Sequence, residues 1–130
     1  YEKSVMPVCK TYGLTYMEFT VLMFLQNNPK YDTAAQLVKI RRLSKSHVSV
    51  SVKGLQEKGL VNGVYYPGNQ KTLHLQLTKK AEPVVEAGLA AQKKFGASLV
   101  RGFTPEEVAQ LQYLTDKLHE NMKQEDNSNG

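Results

Sequence analysis

The stretch at residues 44–61, Ser44-Lys45-Ser46-His47-Val48-Ser49-Val50-Ser51-Val52-Lys53-Gly54-Leu55-Gln56-Glu57-Lys58-Gly59-Leu60-Val61, decides how this chain folds. Its first half is ambiguous. From Val48 to Val52 apolar and polar residues alternate, and the three valines are β-branched, which alone is a strand signal. Three features favour a helix. Ser44 is a good N-cap after the apolar Leu43. Leu55-Gln56-Glu57-Lys58 are strong helix formers, and Gly59 is a natural stop with Lys58 in the last turn. Val48, Val52 and Leu55 recur at i, i+4 and i+7, one face of a helix.

The opposite face of that helix carries Ser46, Val50, Lys53 and Glu57, flanked by His47, Ser49 and Gly54. Small and basic residues suit a helix that enters a major groove, and an outward Val50 suits a thymine methyl. An ordinary surface helix with one stray apolar residue has the same pattern. Charge separates the two. The whole chain is +5 at pH 7. Residues 30–80 hold ten basic residues against two acidic ones, Asp32 and Glu57, whereas the remainder holds seven basic and ten acidic. Positive charge gathered on one module is the footprint of phosphate contacts.

Working outward, residues 1–12 read as a helix closed by Gly13. Thr15-Tyr16-Met17-Glu18 is a capping box that opens a helix burying Phe19, Leu22 and Met23 or Leu25, ending near Asn27-Asn28-Pro29. Asp32 is expected to cap a short helix from Thr33 to about Ile40, with Ala35 small enough for close packing. Behind the 44–61 stretch, residues 60–66 and 72–78 read as two strands, with Leu73, Leu75 and Leu77 alternating with His74 and Gln76. Their tip, Pro67-Gly68-Asn69-Gln70-Lys71, is turn chemistry with one cation. Thr78 is expected to cap a long helix to about Arg101, bent at Pro83 and ended by Gly102. Thr104-Pro105-Glu106-Glu107 is a second capping box. The helix it opens is expected to bury Val108, Leu111, Leu114 or Thr115, and Leu118, and residues 125–130 to be a flexible polar tail.

This order of elements predicts a mainly α chain: an α+β winged helix-turn-helix with a two-stranded wing and helices at both ends. The length fits one domain, 1–130, with the winged-helix lobe at about 14–80. The single cysteine, Cys9, excludes an internal disulfide and suits a reducing cytosol. The longest uncharged apolar run, 19–25, is too short to span a bilayer, and no signal peptide is visible, so a cytoplasmic protein without membrane contact is expected.

The chain resembles the MarR family of bacterial transcription regulators. The resemblance is carried by Gly13-Leu14-Thr15 with Phe19-Thr20-Val21-Leu22, by Ala34-Ala35-Gln36-Leu37, and by Ser44-Lys45-Ser46-His47-Val48-Ser49. It continues through Leu55-Gln56-Glu57-Lys58-Gly59-Leu60-Val61 and Leu77-Thr78-Lys79-Lys80-Ala81. It covers nearly the whole chain, through order and spacing rather than one decisive motif. It implies a homodimer built from residues 1–13 and 81–124, recognition helices in successive major grooves of duplex DNA, wings on the minor groove or backbone, and a pseudo-palindromic operator. It also implies a repressor released by a small phenolic or amphipathic effector. The DNA-contacting candidates are Arg41, Arg42, Ser44, Lys45, Ser46, His47, Ser49, Val50, Lys53, Asn69, Gln70 and Lys71. Tyr12 and Tyr16, where the dimer helices meet the DNA-binding lobe, are the effector-binding candidates, against a plain packing role.

The chain departs from the family pattern in three places, the wing tip, the turn before the recognition helix and the helix itself. The wing's Asp-x-Arg is replaced by Asn69 and Lys71, which removes the pair that holds an arginine. The turn before the recognition helix, often glycine, is Arg41-Arg42. Val50 stands where arginine is frequent, so base preference does not carry over.

Other chemistry finds little support. His47, His74 and His119 lie on different elements at no metal-ligand spacing. The zinc-sensing branch has a His-rich run early in the long helix after the wing; here residues 86–94 contain none. Cys9 lies near the end of its helix, not at the start as in the peroxide-sensing branch, and reads as a packing residue. No phosphate loop, nucleophile elbow or paired-cysteine motif is present, so neither an enzyme nor a cofactor is expected. The competing function is a winged-helix protein-interaction module that binds no specific DNA.

Overall fold

Thr15, Thr33 and Ser44 each stand one residue before a helix, and the three together organise the first half of the chain. The computed structural model describes residues 1–129, with side chains through residue 124. Its elements are α1 (Glu2–Tyr12), α2 (Tyr16–Asn27), α3 (Ala34–Arg41), α4 (Lys45–Glu57), β1 (Val61–Tyr66), β2 (Asn69–Leu77), a 3₁₀ turn (Lys79–Ala81), α5 (Glu82–Leu99) and α6 (Pro105–Asn129). By contact the chain divides into two units, Tyr1–Phe95 and Gly96–Gly130.

In the first unit, α1 ends at Gly13 in the left-handed conformation, φ 66°. The Thr15 capping box opens α2: Thr15 Oγ1 accepts from Glu18 N, and Glu18 Oε1 accepts from Thr15 N. The sequence places a stripe on α2, but the helix is buried on most sides, from Val21 through Leu25 without a break. It is the core helix against which α4 packs. Phe19 and Leu22 of α2, Leu37 of α3, Val48 and Leu55 of α4, Val61 of β1 and Val5 of α1 form the centre of the core. Burying a side chain of this size stabilises by about 1.5–3 kcal/mol.

The short helix α3 is capped by Thr33, not by Asp32. Thr33 Oγ1 accepts from Gln36 N and Gln36 Oε1 accepts from Thr33 N, a second capping box. Asp32 is drawn instead to His74 of the wing. Ala35 is exposed, and Leu37 is the residue α3 buries.

The wing is the antiparallel pair β1–β2, with Val61 opposite Leu77 and Tyr65 opposite Leu73. Its turn is tighter than the sequence suggests. Tyr66 pairs with Asn69 around Pro67-Gly68, with Gly68 at φ 81° as a type II-like turn requires. Asn69 Oδ1 then accepts from Lys71 N (3.1 Å) and Thr72 N (3.2 Å), which takes up the extra residues in a bulge, so β2 begins at Asn69 rather than Thr72. A single-residue bridge outside the two strands' pairing joins His74 to Thr33.

After the wing, Thr78 does not cap α5 with its side chain. Its hydroxyl donates to Gly59 O (2.7 Å), tying the end of β2 to the end of α4, and a 3₁₀ turn intervenes. Pro83 falls in the first turn of α5, where no backbone donor is required, so it gives no reason for a bend. Gly88 lets α5 approach α2: a Cβ there would stand 2.6 Å from Met23 Sδ.

The second unit holds the end of α5, which stops at Leu99 rather than Arg101, then Gly102 at φ 84° and α6. The second predicted capping box is present: Thr104 N donates to Glu107 Oε1 (2.8 Å) and Glu107 N to Thr104 Oγ1 (3.1 Å). The expected burial on α6 is not found. Val108, Leu111, Leu114 and Leu118 are exposed and Thr115 is half-buried. A periodic stripe tells which face is apolar, not what covers it. The bounds of α6 reach into the segment expected to be a flexible tail; side chains 125–130 lie outside the described residues.

Candidate nucleic-acid interface

The helix α4 is anchored from inside and bare outside. Val48, Ser51, Val52 and Leu55 are buried. Ser46, His47, Ser49, Lys53 and Glu57 are exposed, and Val50 is 72% exposed. Ser44 starts the helix, its Oγ accepting from His47 N at 3.4 Å and lying 3.0 Å from Ser46 Oγ. Ser44 is therefore a cap whose hydroxyl is largely spoken for, while Ser46, His47 and Ser49 offer polar groups outward on the first turns.

Two arginines flank this face. Arg41 closes α3 and is exposed. Arg42 follows in the left-handed region at φ 52°, ψ 46°, and its N–H bonds Val38 O. It is the one residue other than glycine with positive φ among those described. A position whose geometry favours glycine carries a cation instead, at a cost of roughly 1 kcal/mol.

The positive charge of 30–80 is not all available. Lys58 Nζ lies 2.5 Å from Glu18 Oε1, whose side chain is buried, and Lys80 Nζ donates to Lys58 O (2.8 Å). Those two lysines serve the fold. The other eight, Lys30, Lys39, Arg41, Arg42, Lys45, Lys53, Lys71 and Lys79, are exposed, six of them on α3, the turn after it, α4 and the wing. Between α3, α4 and β2 a groove of about 700 Å³ is lined by Ala34, Ala35, Val38, Lys45, Ser49, Val52, Lys53, Gln56 and Leu73. Lys45, Ser49 and Lys53 thus border an open channel along one flank of α4.

At the wing tip, Asn69, Gln70 and Lys71 are all exposed. Asn69 holds the Lys71 backbone rather than its side chain. Sequence reasoning missed three wing residues and one beside the wing. Tyr65 and Tyr66 are about half exposed beside the tip, signalled only by an aromatic pair before Pro-Gly. His74 and Asp32 join across 42 residues of chain, for which no local signal exists.

The two effector candidates part company. Tyr12 lines a pocket of about 380 Å³ with Lys58, Leu60, Lys80 and Val84. Tyr16 is half-buried and packs against the core, outside that lining. Cys9 is buried, and burial pushes its thiol above the ordinary value, with Glu2 adding to the rise. His47, His74 and His119 lie on α4, β2 and α6, and no metal-holding cluster occurs among the described residues. Among them, too, no helix is long and apolar enough to cross a membrane.

A short first helix, a capped second helix with an exposed polar and basic face, and a two-stranded wing define a winged helix-turn-helix protein. The MarR family model matches residues 12–62, from the end of α1 through α4 into β1. Over those residues the chain is similar to the MarR family of transcriptional regulators. The crystal structure of MarR has a TM-score of 0.78 to this chain at 18% identity, covering 95% of this chain and 83% of that one. A MarR-family protein of Listeria monocytogenes, solved with a 26mer DNA, gives 0.77 at 23% identity, over 94% and 80%. A Staphylococcus aureus MarR solved with salicylate and kanamycin gives 0.70 at 16%, over 92% and 80%. At these identities the likeness speaks for the fold.

Proposed function

We propose that the chain is a homodimeric, sequence-selective binder of duplex DNA that represses transcription from a pseudo-palindromic operator and is released by a small effector. The observation that carries this reading is the outward face of α4. Ser46, His47, Ser49, Val50 and Lys53 stand exposed on a helix whose other face is locked into the core, with Arg41, Arg42 and Lys45 at its start. Hydrogen-bonding groups and one exposed methyl-bearing side chain suit base edges, and the flanking cations suit phosphates.

The dimer is supported by α6. Val108, Leu111, Thr115, Leu118 and Met122 recur at alternating spacings of three and four, the seam of a helix that packs on another. Leu99, Phe103 and Leu114 extend the exposed apolar surface. A two-fold dimer presents two α4 helices about one DNA turn apart. The Tyr12 pocket, apolar on one side and bordered by Lys58 and Lys80, suits an amphipathic or phenolic effector. An effector that binds better to a spacing of the α4 pair unsuited to DNA lowers affinity by that difference in binding free energy.

The test is binding to duplexes from around the gene encoding the chain, measured against salt. A selective complex whose log affinity falls steeply with log salt supports the reading. Equal, weak binding to every duplex overturns it in favour of a protein-interaction module.

A further inference from the structure

The wing is tied to the helix-turn-helix at one polar cluster. His74 of β2 stacks on Tyr66 of β1, with ring centres 3.8 Å apart and planes 11° from parallel. His74 Nδ1 donates to Asp32 Oδ1 at 2.9 Å. Asp32 sits directly before Thr33, the cap of α3. Its backbone joins the same junction, since Asp32 O accepts from Leu75 N (2.7 Å) and Asp32 N donates to Gln36 Oε1 (3.0 Å). The His74 side chain is 17% exposed and that of Asp32 31%, so solvent weakens this contact less than it would a surface pair. One imidazole therefore touches both strands of the wing and the start of the first helix of the helix-turn-helix. From there the link runs on. Tyr66 pairs with Asn69, and Asn69 holds the backbone of Lys71.

We propose that His74 is the positioning residue of the wing: it fixes the tip relative to α3 and α4, so that the contact Lys71 makes with DNA depends on it. The wing of this chain lacks the acid–arginine pair that would orient a cation locally, and a lysine is a mobile point charge. Holding the hairpin from its base supplies the order that the tip lacks. The DNA part of this inference rests on the function proposed above; the ordering of the hairpin does not.

Two measurements test it, the first without DNA. In His74→Phe the ring for stacking is kept and the bond to Asp32 is lost. Amide exchange of the free protein is expected to rise about tenfold across the wing, the Leu75 amide included, with α4 unchanged. Unchanged wing exchange overturns the proposal. His74→Gln, which offers Asp32 a donor again, is expected to recover part of the protection. Should His74→Phe fail to fold, Asp32→Ala, which removes the acceptor and keeps the Asp32 backbone bonds, serves the same comparison. The second measurement is a double-mutant cycle on operator affinity. His74→Phe and Lys71→Ala are each expected to weaken binding several-fold and flatten the salt slope by about one, and the double variant to be no weaker than either. Additive losses overturn the proposal. A wild-type chain that binds no duplex overturns the DNA reading instead, and the exchange result still decides whether His74 orders the wing.

Discussion

A Cβ on Gly54 would stand 2.2 Å from Glu18 Oε2, so the recognition-type helix α4 seats on the carboxylate that caps α2. Glu18 cannot readily move aside. Its Oε1 is held by Thr15 N (2.9 Å) and Lys58 Nζ (2.5 Å), and the residue is 5% exposed. Glycine inside a helix normally costs about 1 kcal/mol relative to alanine, so a bare helix would gain from Gly54→Ala. Here the alanine is expected to lose about 1–3 kcal/mol, because displacing Glu18 leaves a buried charge without its partners. Urea melts read the sign. In a Glu18→Ala background the same substitution should become neutral or stabilising, and a loss of equal size in both backgrounds would refute the seating.

Arg42 makes the opposite trade. Its φ of 52° is favoured by glycine and disfavoured by arginine. Arg42→Gly is expected to stabilise the fold by roughly 0.5–1 kcal/mol, since relief of the left-handed strain exceeds the flexibility that glycine adds to the unfolded chain. If the cation was kept for phosphate, the same variant should bind its operator more weakly, with the salt slope flatter by about one. Thermal melts and a salt titration are read together. A variant more stable with unaltered DNA binding removes Arg42 from the interface.

The contrast between Asp32 and Thr33 explains how much of this was legible in the sequence. Capping boxes are local, so those of Thr15 and Thr104 could be read from four residues each. At α3 two adjacent residues could cap, and the choice fell to Thr33 because Asp32 is engaged by His74, far along the chain. Thr78 is the same case, its hydroxyl taken by Gly59 O. The exposed face of α4 was legible because its buried face has a clear helical period. The wing's tie to α3 and the loss of Lys58 to Glu18 depend on partners distant in the chain, which no local pattern encodes.

Lys53 and Lys71 are exposed cations on different elements, and they should fail differently. Lys53 lies on the outward face of α4, which the proposed function assigns to base edges, and Lys53→Ala is expected to cost about 1–3 kcal/mol with relaxed discrimination at one half-site position. On the wing, Lys71→Ala should weaken binding evenly across sequences and flatten the salt slope by about one. Val50→Ala should cost less, and only where the contacted base is thymine. Affinities across a panel of single-base operator variants separate the three. If none of the substitutions changes binding, the groove assignment is wrong.

Cys9 gives the chain a predictable alkaline weakness. Burial lifts the folded thiol above its ordinary value of 9.0, so as the pH rises the unfolded chain ionises first. The contribution is intact below about 9.0 and is lost as the pH climbs from there through the folded value. The wild type should therefore lose stability faster than Cys9→Ala above that pH, and the two should run parallel below it. Denaturant melts over a pH series check this. The same burial predicts slow modification of the native thiol by a disulfide reagent and fast modification in urea. Fast native modification would contradict a purely packing role.

Leu111 and Leu118 decide whether the apolar seam of α6 is an interface. They are 43% and 63% exposed, seven residues apart on one face. An exposed seam of this kind is a liability unless a second helix covers it. The chain, 14.6 kDa, is accordingly expected to sediment at twice that mass, with a melting temperature that rises with concentration. Leu111→Glu with Leu118→Glu places charges in the seam and should give a monomer. That monomer should lose most of its operator affinity, because two half-sites held together bind far more tightly than one, by roughly 10²–10⁴. A variant that still sediments as a dimer would move the interface elsewhere, and one that is monomeric but binds DNA as before would show that each chain reads its site alone.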